Sequence, residues 1–280
     1  MQLINTKKDL RSFLSTLDKN KTLGLVPTMG ALHLGHISLV ERSLRENDMV
    51  LVSIFVNPTQ FNNQEDLSKY PKTLDRDMAL LESISKDIIV FAPTPEDIYS
   101  GDITSKSYDF DGLEDVMEGE FRKGHFDGVG TIVEKLLTLV GPNRAYFGEK
   151  DFQQLQIIRK LVEVQAIPVE IIGCPIVREP NGLAMSSRNE RLSEALKQEA
   201  AFIYSTLQGA KEIFGTKDAD HTVEWVKKQF ASRQNFKLEY IKIVDENNLL
   251  PVIEKKKDVD YRAFIAVYIG GVRLIDNIAL

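Results

Sequence analysis

The chain has 280 residues, of which 43% are hydrophobic and 27% charged, and it carries a net charge of −6 at pH 7. This composition is typical of a globular protein with one large or two moderate domains, and its acidic balance disfavours general binding to nucleic acid. Because the single cysteine excludes an intrachain disulfide framework and no apolar run approaches the roughly 20 residues that cross a bilayer, we expect a cytoplasmic protein without a membrane partner.

Apolar runs alternate with amphipathic stretches along the first 175 residues. The pattern predicts strands at residues 23–27, 49–56, 87–91, 144–147 and 169–173. It predicts helices at residues 34–46, 73–85, 129–140 and 151–165. Since strands and helices alternate, we expect an α/β domain, Rossmann-like, with a doubly wound parallel sheet and helices on both faces.

The pattern changes near residue 175, beyond which helices come first and strands follow. Helices are predicted at residues 192–214 and 222–232, and strands at 238–244, 263–269 and 272–275. Gly270 and Gly271 separate the last two strand candidates, as a two-residue hairpin turn requires. We therefore predict a first domain over residues 1–175 and a smaller α+β domain with an antiparallel sheet over 176–280.

The first predicted strand leads into two closely spaced histidines. Residues 27–36 read PTMGALHLGH, with His33 and His36 three residues apart at the predicted start of a helix near Gly35. Residues at this spacing share one face of a helix, and a helix N-terminus favours anions. The segment predicts a nucleotide-phosphate site. A zinc site is the alternative, although further ligands are not at metal spacing and Cys174 stands alone.

Polar side chains follow two other predicted strands. Asn57 and Gln60 come just after the strand candidate 49–56, where ligands of parallel sheets bind, and the amide of Gln60 suits a hydroxyl or a carboxylate. Lys150 lies where a strand candidate meets a helix, and it would act as a point charge on a polyphosphate. Both segments also fit a plain polar loop or a capped helix.

Two further segments combine cationic side chains with other polar groups. Met185-Ser186-Ser187-Arg188 offers two hydroxyls and a guanidinium, which suit a phosphate, although serine also caps helices. His125 lies close to Arg122 and Lys123, and this segment predicts a lid or a substrate-contacting loop.

With these segments in view, the chain resembles the family of pantoate–β-alanine ligases, the pantothenate synthetases. The resemblance rests on PTMGALHLGH, SIFVNPTQF, YPKTLDRD, GHFDGV, YFGEKDFQQ and REPNGLAMSSRN, which occur in the family's order between residues 23 and 195. The His-x-Gly-His element is similar to the HIGH signature of class I nucleotidyltransferases, and residues 185–188 are similar to their KMSKS-like phosphate loop. Lys123 departs from the family pattern, which commonly has proline there.

The resemblance implies an ATP-dependent ligase that forms an amide. Pantoate would be activated as pantoyl adenylate, and β-alanine would then displace AMP to give pantothenate, a precursor of coenzyme A. The resemblance also implies that Mg²⁺ is carried by ATP, with no metal ligands from the protein that can be named, and that the protein is a homodimer. The smaller domain would close over the ATP site.

The resemblance also assigns roles to individual residues. The catalytic residues would be His33, His36 and Lys150. ATP would be bound by Met29, Gly30, Ala31, Leu32, His33, Leu34, Gly35, His36, Gly148, Glu149, Lys150, Asp151, Val177, Met185, Ser186, Ser187 and Arg188. Pantoate would be bound by Met29, Gln60 and Gln154, and β-alanine by Gln60.

Other classes of protein fit parts of this pattern. A phosphopantetheine or cytidylyl transferase shares the paired histidines, but residues 56–61 and the pair Gln153-Gln154 argue against it. A non-catalytic nucleotide-binding protein has no need of the full set of phosphate-contacting residues. A dinucleotide-binding dehydrogenase is disfavoured because no G-x-G-x-x-G follows the first predicted strand.

Overall fold

The apolar runs of the first 175 residues form one six-stranded parallel sheet in the computed structural model, which describes residues 1–61, 67–68 and 70–280. Its strands are β1 Gln2–Ile4, β2 Leu23–Thr28, β3 Met49–Ile54, β4 Ile89–Phe91, β5 Arg144–Gly148 and β6 Glu170–Cys174. Residues of β2 and β3 are buried almost without interruption, which explains why the sequence shows continuous apolar runs rather than alternation.

The strand order is β1-β4-β3-β2-β5-β6, so the chain reverses direction across the sheet between β2 and β5. Ligands of doubly wound sheets bind beyond the carboxyl ends of the strands at such a reversal. The paired histidines follow β2 directly. The predicted α/β fold class is therefore confirmed, and the strand order puts the predicted phosphate site where this topology places ligands.

Helices connect these strands. They span Lys7–Leu14, Leu34–Glu46, Leu74–Ile84, Pro95–Tyr99, Glu118–Phe121, His125–Val140 and Phe152–Val164. The helix predicted at 129–140 begins four residues earlier, at His125, after Gly124 in a left-handed backbone conformation with φ of 74°. The edge strand β1 escapes prediction, because it has three residues and only Ile4 is buried.

A second sheet lies in the C-terminal part of the chain. It contains β7 Phe236–Asp245, β8 Tyr261–Ile269 and β9 Val272–Ala279, all antiparallel. The helices Glu194–Thr216 and Ala219–Ala231 precede it. Gly270 and Gly271 have φ of 55° and 75°, as expected for a tight hairpin turn, and β9 continues beyond the predicted residue 275. The predicted antiparallel C-terminal sheet is confirmed.

The chain divides into two compact units. The first unit comprises Met1–Glu149 and Gln154–Pro175, and the second comprises Lys150–Gln153 and Ile176–Leu280. The short piece Lys150–Gln153 thus packs with the second unit, although the residues on both sides of it belong to the first. The sequence pattern does not predict the placement of Lys150–Gln153, because the pattern changes only near residue 175.

The helix His125–Val140 approaches the turn Pro58–Gln60 so closely that only glycine fits between them. A Cβ atom on Gly128 would lie 2.4 Å from the carbonyl oxygen of Thr59 and 2.8 Å from the Cα of Gln60. Such distances are too short for a carbon atom, so a larger side chain would force the helix and the turn apart. The glycine thereby sets the position of Gln60.

We expect Gly128→Ala to destabilise the protein by about 2 kcal/mol, since overpacking outweighs the better helix propensity of alanine. Urea unfolding measures this change. The matched control is Gly215→Ala in the helix Glu194–Thr216, where nothing lies within 4 Å of the added Cβ. The control should be neutral or slightly stabilising, and equal effects of the two substitutions would contradict the close approach.

Candidate active site

A buried carboxylate holds the turn that follows β2. Asp77 is 1% exposed. Its Oδ2 accepts from the N–H of Ala31 at 2.9 Å, and its Oδ1 accepts from the N–H of Leu32 at 2.8 Å. Gly30 and Ala31 have φ of 78° and 50°, a backbone conformation that is unfavourable for alanine unless other contacts impose it. The carboxylate therefore determines the shape of the turn. Sequence analysis does not identify Asp77.

The backbone of this turn is largely occupied by internal hydrogen bonds. Sequence analysis predicts ATP contacts for residues 29–36. The amides of Ala31 and Leu32 donate to the buried carboxylate, and the amide of Gly35 donates to the ring of His33. These three amides are therefore already bonded within the protein. The contacts of residues 29–36 with ATP stay a prediction.

The two histidines cap the helix Leu34–Glu46 and fix each other's position. The Nδ1 of His33 accepts from the N–H of Gly35 at 3.1 Å, and the Nδ1 of His36 accepts from the N–H of His33 at 3.3 Å. The ring centroids lie 4.0 Å apart. Because an Nδ1 that accepts a hydrogen bond carries no proton, the neutral rings carry theirs on Nε2. Both side chains are therefore Nε2–H donors, the form that a phosphate oxygen requires.

Gln60 lies in a buried network of amides beyond β3. The Nδ2 of Asn57 donates to the Oε1 of Gln60 at 3.2 Å and to the carbonyl of Gly128 at 3.0 Å. The hydroxyl of Tyr99 donates to the Oδ1 of Asn57 at 2.6 Å, and burial raises the pKa of this phenol, which keeps it a neutral donor. The Nε2 of Gln60 lies 2.8 Å from the Sδ of Met29. The structure thus brings together Gln60 and Met29, both predicted to bind pantoate.

The third histidine, His125, contacts the backbone of the turn Pro58–Gln60. The Nδ1 of the buried His125 donates to the carbonyl oxygen of Gln60 at 2.8 Å. Because a carbonyl only accepts, the proton lies on Nδ1, and Nε2 accepts from the Nη1 of Arg122 at 3.2 Å. Sequence analysis predicts a lid or a substrate-contacting loop here. The structure shows that Arg122 and His125 both donate to the carbonyl oxygen of Gln60, and the predicted role of the loop stays a prediction.

The predicted site residues fall in both units. The first unit contains Met29, Gly30, Ala31, Leu32, His33, Leu34, Gly35, His36, Gln60, Gly148, Glu149 and Gln154. The second contains Lys150, Asp151, Val177, Met185, Ser186, Ser187 and Arg188. Gly148 ends β5, the strand beside β2 at the reversal, and Gln154 is half-buried on the helix Phe152–Val164.

In the second unit, a short hairpin leads to the serine and arginine segment. The N–H of Met185 donates to the carbonyl of Val177 at 3.0 Å, and Arg178 pairs with Ala184 across the hairpin. Ser186 then caps the 3₁₀ helix Ser187–Arg191 by accepting from an amide N–H two residues ahead. Ser186 therefore has the helix-capping role that is common for serine. This role uses the oxygen of Ser186 as an acceptor and does not consume the hydroxyl proton.

Lys150 lies in the 3₁₀ turn Glu149–Asp151, ahead of the helix Phe152–Val164. Its Nζ lies 3.4 Å from the Oδ1 of Asp151, and its side chain is 19% exposed. An ammonium with one weak carboxylate contact and restricted access to water is well placed to meet an anion. Lys150 thus lies between a strand and a helix, as the sequence indicates, and its contact with phosphate stays a prediction.

No metal centre is evident in the part of the chain that the structure describes. Within residues 1–61, 67–68 and 70–280, no three His, Cys, Asp or Glu side chains are placed to hold a metal ion. Cys174 is buried, burial raises the pKa of its thiol, and its Sγ lies 3.7 Å from the Nη1 of Arg42. The zinc alternative therefore has no ligand set there. The same described residues contain no helix long and apolar enough to cross a membrane.

The family model for pantoate-beta-alanine ligase matches residues 2–279 of the chain. The chain belongs to this family. It is 60% identical over 260 residues to the pantothenate synthetase of Christiangramia forsetii, covering 93% of this chain and 92% of the relative. It is 55% identical over 281 residues to the pantothenate synthetase of Flavobacterium psychrophilum, covering 100% of both chains.

Solved structures of pantothenate synthetases share this fold. The enzyme of Thermus thermophilus superimposes with a TM-score of 0.91 at 39% identity, covering 99% of each chain. The pantoate-beta-alanine ligase of Francisella tularensis, complexed with beta-gamma ATP and beta-alanine, has a TM-score of 0.80 at 39% identity and covers 99% of this chain and 97% of that one. The family resemblance inferred from the motifs is therefore confirmed.

We expect Asp77→Asn to destabilise the protein by about 2 kcal/mol, because the amide NH₂ group meets a backbone N–H and leaves a buried donor unsatisfied. Denaturant unfolding measures the loss. The matched control is Asp75→Asn, the same substitution at an exposed position of the same helix, which should change stability by only a few tenths of a kcal/mol. A similar small loss for Asp77→Asn would show that the carboxylate does not hold the turn.

Proposed function

We propose that the protein joins pantoate to β-alanine in two steps that consume ATP. In the first step, a carboxylate oxygen of pantoate attacks the α-phosphorus of ATP, the bond from that phosphorus to the leaving pyrophosphate breaks, and pantoyl adenylate forms. In the second step, the β-alanine amine attacks the acyl carbon, the bond to AMP breaks, and pantothenate is released. The family match supports this reaction, which supplies pantothenate for coenzyme A biosynthesis.

The observation that carries the proposal is the pair of Nε2–H imidazoles at the start of the helix Leu34–Glu46. In-line displacement at phosphorus places negative charge on the phosphate oxygens and the leaving pyrophosphate, so catalysis consists mainly of positioning and charge stabilisation. His33 and His36 supply two oriented donors next to the positive end of a helix dipole. We assign the main catalytic donor role to His36, and Lys150 adds a positive charge.

Pantoate binding falls to the amide network beyond β3. Because the Oε1 of Gln60 already accepts from Asn57, its Nε2 is the group that donates to a carboxylate or a hydroxyl. Met29 lies beside that amide, and its Sδ accepts one hydrogen bond from the Nε2 of Gln60. We propose that Gln60 and Gln154 bind pantoate, that Met29 lines its pocket, and that Gln60 also contacts β-alanine.

The nucleotide is assigned to the remaining predicted residues. Gly148, Glu149, Asp151 and Val177 would lie along the nucleoside, and Ser186, Ser187 and Arg188 would bind the triphosphate. Mg²⁺ would arrive with ATP, with the phosphates as its ligands. We also propose that residues 176–280 form the domain that closes over ATP, and that the protein works in the cytoplasm as a homodimer, which sedimentation analysis would test.

We expect His36→Ala to lower pantoate-dependent ATP–pyrophosphate exchange about 10²–10³-fold in the absence of β-alanine, because one oriented transition-state donor is lost. Exchange without β-alanine isolates the first step, and its dependence on pantoate separates this reaction from nucleotide transfer to a phosphate. The matched control is His221→Ala, at an exposed position of the helix Ala219–Ala231. An exchange rate within a few-fold of the wild type would remove His36 from the mechanism.

We expect Gln154→Ala to raise the KM for pantoate about tenfold with little change in the KM for ATP, because one hydrogen bond to a small substrate is lost. Initial-rate kinetics with each substrate varied in turn measure both constants. Gln156→Ala, two residues along the same helix, is the matched control and should leave both constants close to wild type. Equal kinetics for the two variants would exclude Gln154 as a pantoate ligand.

A further inference from the structure

Two adjacent polar residues of β9 are buried without any role in the proposed chemistry. Asp276 is 4% exposed and Asn277 is 1% exposed, and both lie in the last strand of the second sheet. Burial of a carboxylate and an amide is costly unless each group is bonded. Successive residues of a strand point to opposite faces, so the two side chains serve different neighbours. Those neighbours are Arg178, in the hairpin that leads to the Ser186–Arg188 segment, and the backbone of Lys150.

Asp276 holds the hairpin that precedes the serine and arginine segment. Its carboxylate accepts from the Nη1 and Nη2 of Arg178 at 2.6 and 3.0 Å. The same guanidinium donates to the carbonyl of Gly182 at 3.1 Å and stacks on the ring of Tyr204 at 3.6 Å. Burial raises the pKa of Asp276, while the two bonds from Arg178 act in the opposite direction. The ion pair thus joins the Arg178 arm of the hairpin to β9, and the same guanidinium holds the hairpin turn through Gly182.

Asn277 holds the turn that carries Lys150. Its Nδ2 donates to the carbonyl oxygen of Lys150 at 2.9 Å. Its Oδ1 accepts from the Nη1 of Arg262 at 2.6 Å. Because a guanidinium only donates, this bond fixes which end of the amide faces Arg262 and turns the NH₂ group toward Lys150. Arg262 is itself held by Glu246 at 2.8 Å and by stacking on Phe152 at 3.9 Å.

We propose that Asp276 and Asn277 are positioning residues that set the spacing between Lys150 and the Ser186–Arg188 segment. Each segment belongs to a short 3₁₀ element, and so few residues do not by themselves fix the distance from one segment to the other. Anchoring both to consecutive residues of one hydrogen-bonded strand fixes that distance, as simultaneous contact with several phosphate oxygens requires. The inference rests on the proposed assignment of Lys150 and Ser186–Arg188 to the triphosphate of ATP.

The decisive variant is Asn277→Asp, which keeps an acceptor for Arg262 and replaces the donor to Lys150 by a second acceptor. We expect the KM for ATP, and the Kd for ATP measured by calorimetry without the other substrates, to rise about tenfold. The KM for pantoate should stay within twofold of the wild type. Asn277→Ser, which is too short to reach the Lys150 carbonyl, gives the same comparison if the first variant folds poorly.

The matched structural control is Glu239→Gln, which weakens an ion pair on the same sheet. In that pair, the Oε2 of Glu239 accepts from the Nε of Arg273 at 2.8 Å. The control variant should lower the midpoint of thermal unfolding without changing the Kd for ATP. If Asn277→Asp behaves like this control, or raises the KM for pantoate as much as the KM for ATP, its role is structural and the inference is wrong.

A double-mutant cycle separates this inference from the proposed function. If Asn277 acts through Lys150, Asn277→Asp has little further effect on the Kd for ATP once Lys150→Ala is present. Additive effects of the two substitutions would overturn the inference. A Lys150→Ala variant that binds and uses ATP like the wild type would instead overturn the assignment of Lys150, whatever Asn277→Asp does.

Discussion

The turn between β2 and the helix Leu34–Glu46 depends on one buried carboxylate. Asp77 accepts hydrogen bonds from the N–H groups of Ala31 and Leu32, and these bonds hold Ala31 in a left-handed backbone conformation. These bonds fix the turn, and His33 then lies at the N-cap position of the helix. Once it is there, the backbone amides decide the tautomer of both rings. The turn that Asp77 holds thus leads to a helix start at which both histidines carry the proton on Nε2.

Similar contacts occur in both units, where side chains bond to the backbone of turns that contain predicted site residues. In the first unit, His125 and Arg122 bond to the carbonyl of Gln60. In the second unit, Asn277 bonds to the carbonyl of Lys150, beside the Asp276–Arg178 ion pair. His125 lies on a helix and Asn277 on a strand, whereas Gln60 and Lys150 lie on short 3₁₀ turns. The helix and the strand therefore fix the positions of the two turns.

Sequence reasoning works best where the signal is local. The apolar runs predict the strands that lie inside the sheet, and the spacing of His33 and His36 predicts their shared place at a helix start. Sequence reasoning does not find Asp77, which is 46 residues from Ala31, or Asn277, which is 127 residues from Lys150. Such contacts between distant residues exist only in the folded chain. Nor does it find the bond from the buried ring of His125 to the carbonyl of Gln60, 65 residues away, for the same reason.

The central claim is that a pantoate oxygen becomes bonded to the α-phosphorus of ATP. The most direct test uses pantoate labelled with ¹⁸O in its carboxylate, with ATP and β-alanine, and mass spectrometry of the nucleotide product. Because the acyl carbon–oxygen bond breaks in the second step, the account predicts one ¹⁸O atom in each AMP formed. Unlabelled AMP, or label in inorganic phosphate together with ADP, would contradict activation through pantoyl adenylate.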